Sequence, residues 1–154
     1  MRRRKQKGLT LIELIVAFTI MLILTAMAVP LARSKVRAEH ERELRYAVRE
    51  VRLAIDKFKD NCDMGYLGPQ KLGANCYPET LDQLVQGVKL PGPEGKKMHF
   101  LRRIPRDPFT GKAEWGLRSD QDDPDSTTWG GQDVFDIYTK TTQKAPDGTS
   151  YSEW

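Results

Sequence analysis

Residues 8–32 read GLTLIELIVAFTIMLILTAMAVPLA, and this stretch decides the fold. As a helix, residues 9–32 would be about 36 Å long, enough to cross the roughly 30 Å hydrocarbon core of a bilayer. Glu13 is the one charged residue in this segment, and Pro30 lies near its far end, where its ring and missing N–H would kink a helix. The sequence therefore predicts a transmembrane helix that carries one costly carboxylate.

The charges of the chain are unevenly distributed. The formal net charge is +4, from 25 Lys and Arg against 21 Asp and Glu. A short basic leader carries more than this excess, at Arg2, Arg3, Arg4, Lys5 and Lys7. The remaining chain is thus close to neutral, which argues against a nucleic-acid binder. Outside residues 9–32 apolar residues are sparse, so the rest of the chain can bury only a modest core.

Two simple interpretations of the N-terminus compete with a functional one. A secretory signal peptide cleaved after Ala28 would release a secreted, non-enzymatic binding module that begins at Val29. A plain membrane anchor would keep the whole segment. Neither gives a reason for Glu13, whose charge costs about 2–3 kcal/mol within an apolar helix.

The residues GLTLIE at positions 8–13, between a basic leader and an apolar helix, resemble the type III signal of type IV pilins and of type II secretion pseudopilins. The resemblance implies that a prepilin peptidase cuts after Gly8, which removes residues 1–8, and methylates the new amino group of Leu9. It also implies that Thr10 and Glu13 serve filament assembly. Pro30 matches a helix-breaking proline that is frequent in this family.

Glu13 has a physical role in such a filament. In a medium without water, the amine of Leu9 and the carboxylate of Glu13 lower each other's desolvation cost, within one chain or between neighbours. A pair between neighbours would set the register of the subunits. The alternative is a neutral, protonated Glu13 without a partner.

A helical stripe of apolar residues follows, spaced by three or four positions. Its members are Leu44, Val48, Val51, Ile55, Phe58 and Cys62, and Val36 and His40 extend it backwards. The pattern predicts one helix over residues 9–61, about 80 Å long. Residues 9–32 would be its transmembrane and filament-core half, and residues 33–61 an amphipathic half that leads into a head of residues 62–154.

The chain has two cysteines, Cys62 and Cys76. A disulfide between them would close a loop of about 15 residues and stabilise the fold by about 3 kcal/mol, and it would require an oxidising compartment such as a periplasm. The alternative is two buried free thiols. The two histidines lack the spacing of metal ligands.

The sequence of the head predicts short helices, turns and strands. Thr80 and Gln83 have the spacing of a capping box at the start of a short helix that Gly87 ends. Turns are expected at residues 90–95 and 108–111, and strands at residues 99–104, 113–117 and 134–139. The predicted fold class is α+β, a long N-terminal helix packed on a small antiparallel sheet.

The resemblance extends into the head through Tyr77-Pro78, residues 100–108, residues 134–138 and Asp147-Gly148, which look like the major pseudopilin of type II secretion. It implies a structural subunit of a pseudopilus that supports export of folded proteins. The implied partners are further copies, other pseudopilins, the prepilin peptidase and the inner-membrane assembly platform. The implied location is the bacterial inner membrane, single-pass, with a cytoplasmic N-terminus and a periplasmic head. A major or minor type IV pilin of a surface filament is the alternative.

The C-terminal part is rich in aspartate, with Asp120, Asp122, Asp123, Asp125 and Asp133 close together in sequence. The resemblance implies a calcium ion in these loops, and calcium prefers such oxygen ligands. The expected ligands are Asp125, Asp133 and Asp147, and the alternative is a solvated acidic loop. The sequence has none of the common motifs of phosphate-binding loops or of nucleophilic catalysis, which argues against an enzyme.

Overall fold

The computed structural model describes residues 10–69, 75–92 and 95–154, without the side chains of residues 27–32. The chain divides into two compact units, Met1–Glu39 and His40–Trp154. Helix α1, Leu11–Asp63, belongs to both units and has 53 residues. Its bounds lie within two residues of the predicted ones.

The first unit consists, as far as it is described, of the N-terminal part of α1. All described side chains from residue 10 to residue 26 are exposed, including Leu11, Phe18 and Leu22. Within the described ranges, no helix has an apolar stretch long enough to cross a membrane. The predicted span of residues 9–32 extends past the described side chains at both ends, and the predicted kink at Pro30 also falls outside them.

In the second unit, α1 supplies one wall of the core. All six members of the predicted stripe are buried: Leu44, Val48, Val51, Ile55, Phe58 and Cys62. The backward extension of the stripe was half wrong. Val36 is 57% exposed, whereas His40 is partly buried and meets Phe109 edge to face at 5.6 Å.

Helix α2, Leu81–Gln86, packs Leu81 and Leu84 into this core. The predicted capping box is only partly formed. Thr80 makes no side-chain capping bond with the described residues, while the Gln83 side chain accepts a hydrogen bond from the Glu79 amide at 2.8 Å. Gly87 ends the helix with φ +74°, a left-handed conformation that favours glycine.

Two small antiparallel sheets complete the head. Strands β1, Val88–Lys89, and β2, Lys97–Met98, pair with each other, as do β3, Gly116–Arg118, and β4, Asp136–Tyr138. The strand predicted at residues 99–104 was wrong, because the extended pairing ends at Met98. The strands predicted at 113–117 and 134–139 correspond to the shorter β3 and β4. The α+β class with a long helix and a small antiparallel sheet region is confirmed.

The close approach of β3 and β4 depends on one glycine. Gly116 lies opposite Tyr138, and a Cβ at position 116 would overlap the Tyr138 ring. Arg118 follows two residues after Gly116 in β3, and its guanidinium lies 4.4 Å from the centre of the Tyr138 ring. The absent side chain at Gly116 therefore gives the tyrosine ring its place over the sheet.

The C-terminal segment is fastened to α1. Tyr151 is buried, stacks on Phe109 with ring centres 4.3 Å apart, and donates to the Glu41 carboxylate at 2.6 Å. The Arg45 guanidinium lies 4.1 Å from the centre of the Trp154 ring. These contacts fasten the C-terminal residues to α1.

Candidate functional site

The N-terminal candidate site is described from Thr10 onward; Gly8 and Leu9 lie outside the described residues. Thr10 precedes the first residue of α1, and its hydroxyl oxygen accepts a hydrogen bond from the Glu13 amide at 3.3 Å. Thr10 is thus the N-cap, and Glu13 stands three residues later, the spacing of a capping box. An acidic residue in the first turn also interacts favourably with the helix dipole.

The Glu13 side chain is exposed on an apolar surface. Its neighbours Leu11 and Ile12 are 79% and 66% exposed, and the apolar exposure continues along the described part of the segment. A surface of this kind requires a lipid or protein environment. A carboxylate that is removed from water in such an environment needs a cationic partner, because its desolvation is otherwise uncompensated.

The bridge between Cys62 and Cys76, which the sequence predicted, is present, with a Cα–Cα distance of 5.5 Å. It ties the last turn of α1 to the segment that enters the head. The two residues at this point, Asn75 and Cys76, have φ values of +41° and +63°. Non-glycine residues rarely adopt this left-handed conformation, and asparagine tolerates it better than most.

The acidic loop holds a group of buried oxygen atoms. Asp133 is fully buried, and its Oδ1 accepts a hydrogen bond from the Asp120 amide at 3.1 Å. Three side-chain oxygens here are buried without a hydrogen-bond partner among the described residues: Ser119 Oγ, Asp120 Oδ1 and Asp133 Oδ2. Buried oxygens without partners are rare in folded proteins, because their desolvation is not compensated.

The electrostatics of the loop differ from one aspartate to the next. Burial raises the pKa of Asp133 to about 6, helped by the nearby Asp120 and Asp122 and opposed by the hydrogen bond from the Asp120 amide. In contrast, the amides of Ser119 and Gly130 donate to Asp122 and lower the pKa of that carboxyl. Asp133 is therefore the carboxylate of this loop that most needs a compensating charge.

The predicted calcium ligands do not come together. Among the described residues, no three His, Cys, Asp or Glu side chains are grouped so that they could hold a metal ion. Asp125 is exposed, and Asp147 accepts hydrogen bonds from the amide and hydroxyl of Thr149, which lower its pKa. The set of Asp125, Asp133 and Asp147 was therefore wrong, because only Asp133 lies in the buried group of oxygens.

The residues around Asp133 nevertheless suit a hard cation. Two carboxylates and one hydroxyl each leave a buried oxygen without a partner, and calcium takes carboxylate and other neutral oxygen ligands. Side-chain oxygens also lie close around Gly130. A Cβ at this position would be 2.8 Å from Asp122 Oδ1 and 3.2 Å from Ser119 Oγ. Ser119, Asp120 and Asp133 are the residues that would hold such an ion.

Sequence reasoning missed Ser119 and Asp120 as members of this group. The signal available was the density of aspartates over residues 120–133, which does not distinguish a buried carboxylate from a solvated one. It also missed the N-cap role of Thr10, although the Thr10-x-x-Glu13 spacing is a recognisable signal.

A comparison with protein families gives the general class of this chain. Residues 3–29 match the family described as the prokaryotic N-terminal methylation motif. The match covers the basic leader, the GLTLIE residues and most of the apolar segment. Together with the long helix and the small sheets, it makes this a type IV pilin-like protein, as the sequence predicted.

Comparison with curated relatives narrows the class. The chain is 31% identical over 118 residues to type II secretion system core protein G of Klebsiella michiganensis, covering 72% of this chain and 73% of that protein. It is 30% identical over 114 residues to the protein of the same name in Pseudomonas aeruginosa, covering 71% and 72%. The chain therefore belongs to the type II secretion core protein G family of pseudopilins. No solved structure matches it.

Proposed function

We propose that this protein is a non-enzymatic structural subunit of a type II secretion pseudopilus. The observation that carries the proposal is that the family match includes both the N-terminal motif and the head. In this function the N-terminal helix stacks with those of further copies and of other pseudopilins, and the filament supports export of folded proteins. The relatives favour this assignment over a type IV pilin of a surface filament.

Processing is the first step of the proposed function. A prepilin peptidase cleaves after Gly8 and methylates Leu9, and residues 9–32 anchor the chain in the inner membrane until the assembly platform extracts it. The N-terminus is cytoplasmic and the head periplasmic. The disulfide supports this orientation, because disulfides persist in oxidising compartments.

The assembly role of Glu13 rests on its place on the exposed apolar surface. When that surface is covered in a filament, the Glu13 carboxylate pairs with the amine of a neighbouring Leu9 and so fixes the register of adjacent subunits. Thr10 caps the start of α1 and bonds the Glu13 amide, which places Glu13 in the first turn of the helix. The charge at Glu13 then serves specificity more than stability.

Mass spectrometry and a substitution test this function. In native membranes the protein should begin at N-methylated Leu9. The variant Glu13→Ala should be processed in the same way but should assemble poorly into filaments, as measured by cross-linking between subunits. The exposed Glu50, substituted as Glu50→Ala, is the matched control and should assemble normally.

Two results would contradict the proposal. A chain that begins at Val29 would indicate a secreted module without a filament helix. Assembly of Glu13→Ala at the level of Glu50→Ala would remove the register role of Glu13.

The acidic loop adds a second part to the proposal, a structural calcium ion held by Ser119, Asp120 and Asp133. Three buried oxygens without partners support it. The ion would supply positive charge that compensates two neighbouring carboxylates and would link the residues that follow β3 to those that precede β4. The head would then be more stable with calcium than without it.

Calcium-dependent melting tests this part. Calcium should raise the melting temperature of the full chain in detergent, and EDTA should reverse the rise. Asp120→Asn should abolish the effect of calcium. Asp125→Asn, in the same loop but exposed, should retain it. A melting temperature of the wild type that is insensitive to calcium would favour a solvated acidic loop.

A further inference from the structure

Asn75 connects the disulfide to the acidic loop. Its side-chain Nδ2 donates to Asp120 Oδ2 at 2.6 Å, across 45 positions of sequence. The other oxygen of the same carboxylate, Asp120 Oδ1, is one of the three buried oxygens without a partner in the described part of the chain. One oxygen of Asp120 is thus held by Asn75, and the other is one of the oxygens assigned above to the proposed cation site.

The backbone of Asn75 is itself fixed from α1. The adjacent Cys76 is bonded to Cys62, and the Lys59 ammonium donates to the Asn75 carbonyl oxygen at 2.8 Å. Lys59 and Cys62 are three residues apart on α1, so both attachments come from one turn of the helix. They hold Asn75 in a left-handed conformation, with φ +41°, that the unattached chain would rarely adopt.

The residues after the bridge also contact the opposite side of the loop. The Pro78 carbonyl oxygen accepts a hydrogen bond from the amide of Val134, which follows Asp133, at 2.8 Å. The ring of Tyr77 meets Phe135 edge to face at 5.3 Å. The segment of residues 75–78 therefore contacts both Asp120 and the residues next to Asp133.

We infer that Asn75 is a positioning residue for the cation site: the Cys62–Cys76 disulfide fixes its backbone, and its amide aims the Asp120 carboxylate at the ion. This inference rests on the proposed calcium site. Outer hydrogen bonds that orient a ligand commonly change metal affinity by 10- to 100-fold when removed. Because Asn75 is exposed, we expect a loss near the lower limit, about tenfold.

The test is the calcium affinity of the full chain in detergent, measured by isothermal titration with calcium chloride. Asn75→Gly removes the amide and tolerates the positive φ, so the backbone stays unstrained. It should bind calcium about tenfold more weakly than wild type, with a melting temperature in EDTA close to that of wild type. Asn61→Ala removes another side-chain amide, one that donates to the Lys57 carbonyl within α1, and should bind like wild type.

The role of the disulfide is tested by a double-mutant cycle. The paired change Cys62→Ser with Cys76→Ser should also weaken calcium binding. In this double-serine variant, Asn75→Gly should weaken calcium binding by less than it does in the wild type. The reason is that the Asn75 amide is then no longer aimed by a fixed backbone.

The possible outcomes separate the two levels of the proposal. If wild type binds no calcium, the cation site itself is wrong. If wild type binds calcium and Asn75→Gly binds as tightly as Asn61→Ala, the positioning role is overturned while the cation site stands. A fall in the EDTA melting temperature with unchanged calcium affinity would also overturn it, since that would show a purely structural contact.

Discussion

At the scale of single residues, Asp133 is expected to make the stability of the head depend on pH. Its carboxyl is fully buried beside Asp120, and burial raises its pKa from an ordinary 3.8 to about 6. A carboxyl with a higher pKa in the folded chain binds its proton more tightly there than in the unfolded chain. The stabilising contribution of this group is therefore complete below pH 3.8 and is lost as the pH rises through 6.

The first prediction follows for the chain without divalent cations. In EDTA, Asp133 should lower the free energy of unfolding between pH 4 and pH 7, measured by urea titration of the full chain at several pH values. The variant Asp133→Asn should lack this part of the pH dependence, since it cannot ionise. Equal pH dependence in wild type and Asp133→Asn would contradict the assignment.

The residue scale also shows what sequence reasoning could and could not reach. The Cys62–Cys76 bridge was predicted because the sequence has only these two cysteines, and it is confirmed. Glu13 stands out as a charge in an apolar run, and its role in assembly stays a prediction. The contact of Asn75 with Asp120 joins residues 45 positions apart, and no local pattern encodes it. The same holds for the burial of Asp133, which depends on how the loop folds back.

At the scale of elements, Asp136 in β4 joins three parts of the head. Both of its carboxylate oxygens accept hydrogen bonds from Arg52 in α1, at 2.6 and 3.0 Å. Arg52 also donates to the Trp154 carbonyl at 2.9 Å, and Arg118 in β3 lies 3.9 Å from the same carboxylate. A partly buried, bidentate ion pair of this kind stabilises a fold more than an ion pair on the surface does.

The second prediction concerns this junction. Asp136→Asn should lower the free energy of unfolding of the full chain by about 2 kcal/mol, because it removes charge-assisted hydrogen bonds and leaves Arg52 and Arg118 without their shared partner. Urea denaturation measures the change. The pair of Lys59 and Asp63 is an exposed control, so Asp63→Asn should cost less than about 1 kcal/mol. Equal costs for the two variants would contradict the central place of Asp136.

The elements differ in how well the sequence predicts them. Helix α1 was predicted within two residues because six apolar positions repeat at helical spacing and all six are buried. The strands have only two or three residues each, too few for an alternating pattern to emerge. Their positions follow from tertiary pairing, which is why residues 99–104 were wrongly predicted as a strand.

At the scale of the whole molecule, the covalent loop between Cys62 and Cys76 restricts the unfolded chain more than the folded one. The third prediction is that replacing both cysteines by serine lowers the free energy of unfolding by about 3 kcal/mol, the value expected for a loop of this size. Urea denaturation of the full chain measures the loss. The reduced wild type should lose about as much as the double variant. A double variant as stable as the oxidised wild type would show that the bridge only joins residues already held together.

The bridge also makes the maturation of this protein depend on its location. Thiols stay reduced in the cytoplasm and are oxidised after export, so in the proposed topology Cys62 and Cys76 meet an oxidant only once the head has crossed the membrane. The left-handed backbone at Asn75 and Cys76 would then be fixed only when the bridge forms. In the proposed function the order of events would thus be built into covalent chemistry: insertion first, bridge formation second, and binding of the proposed calcium ion third.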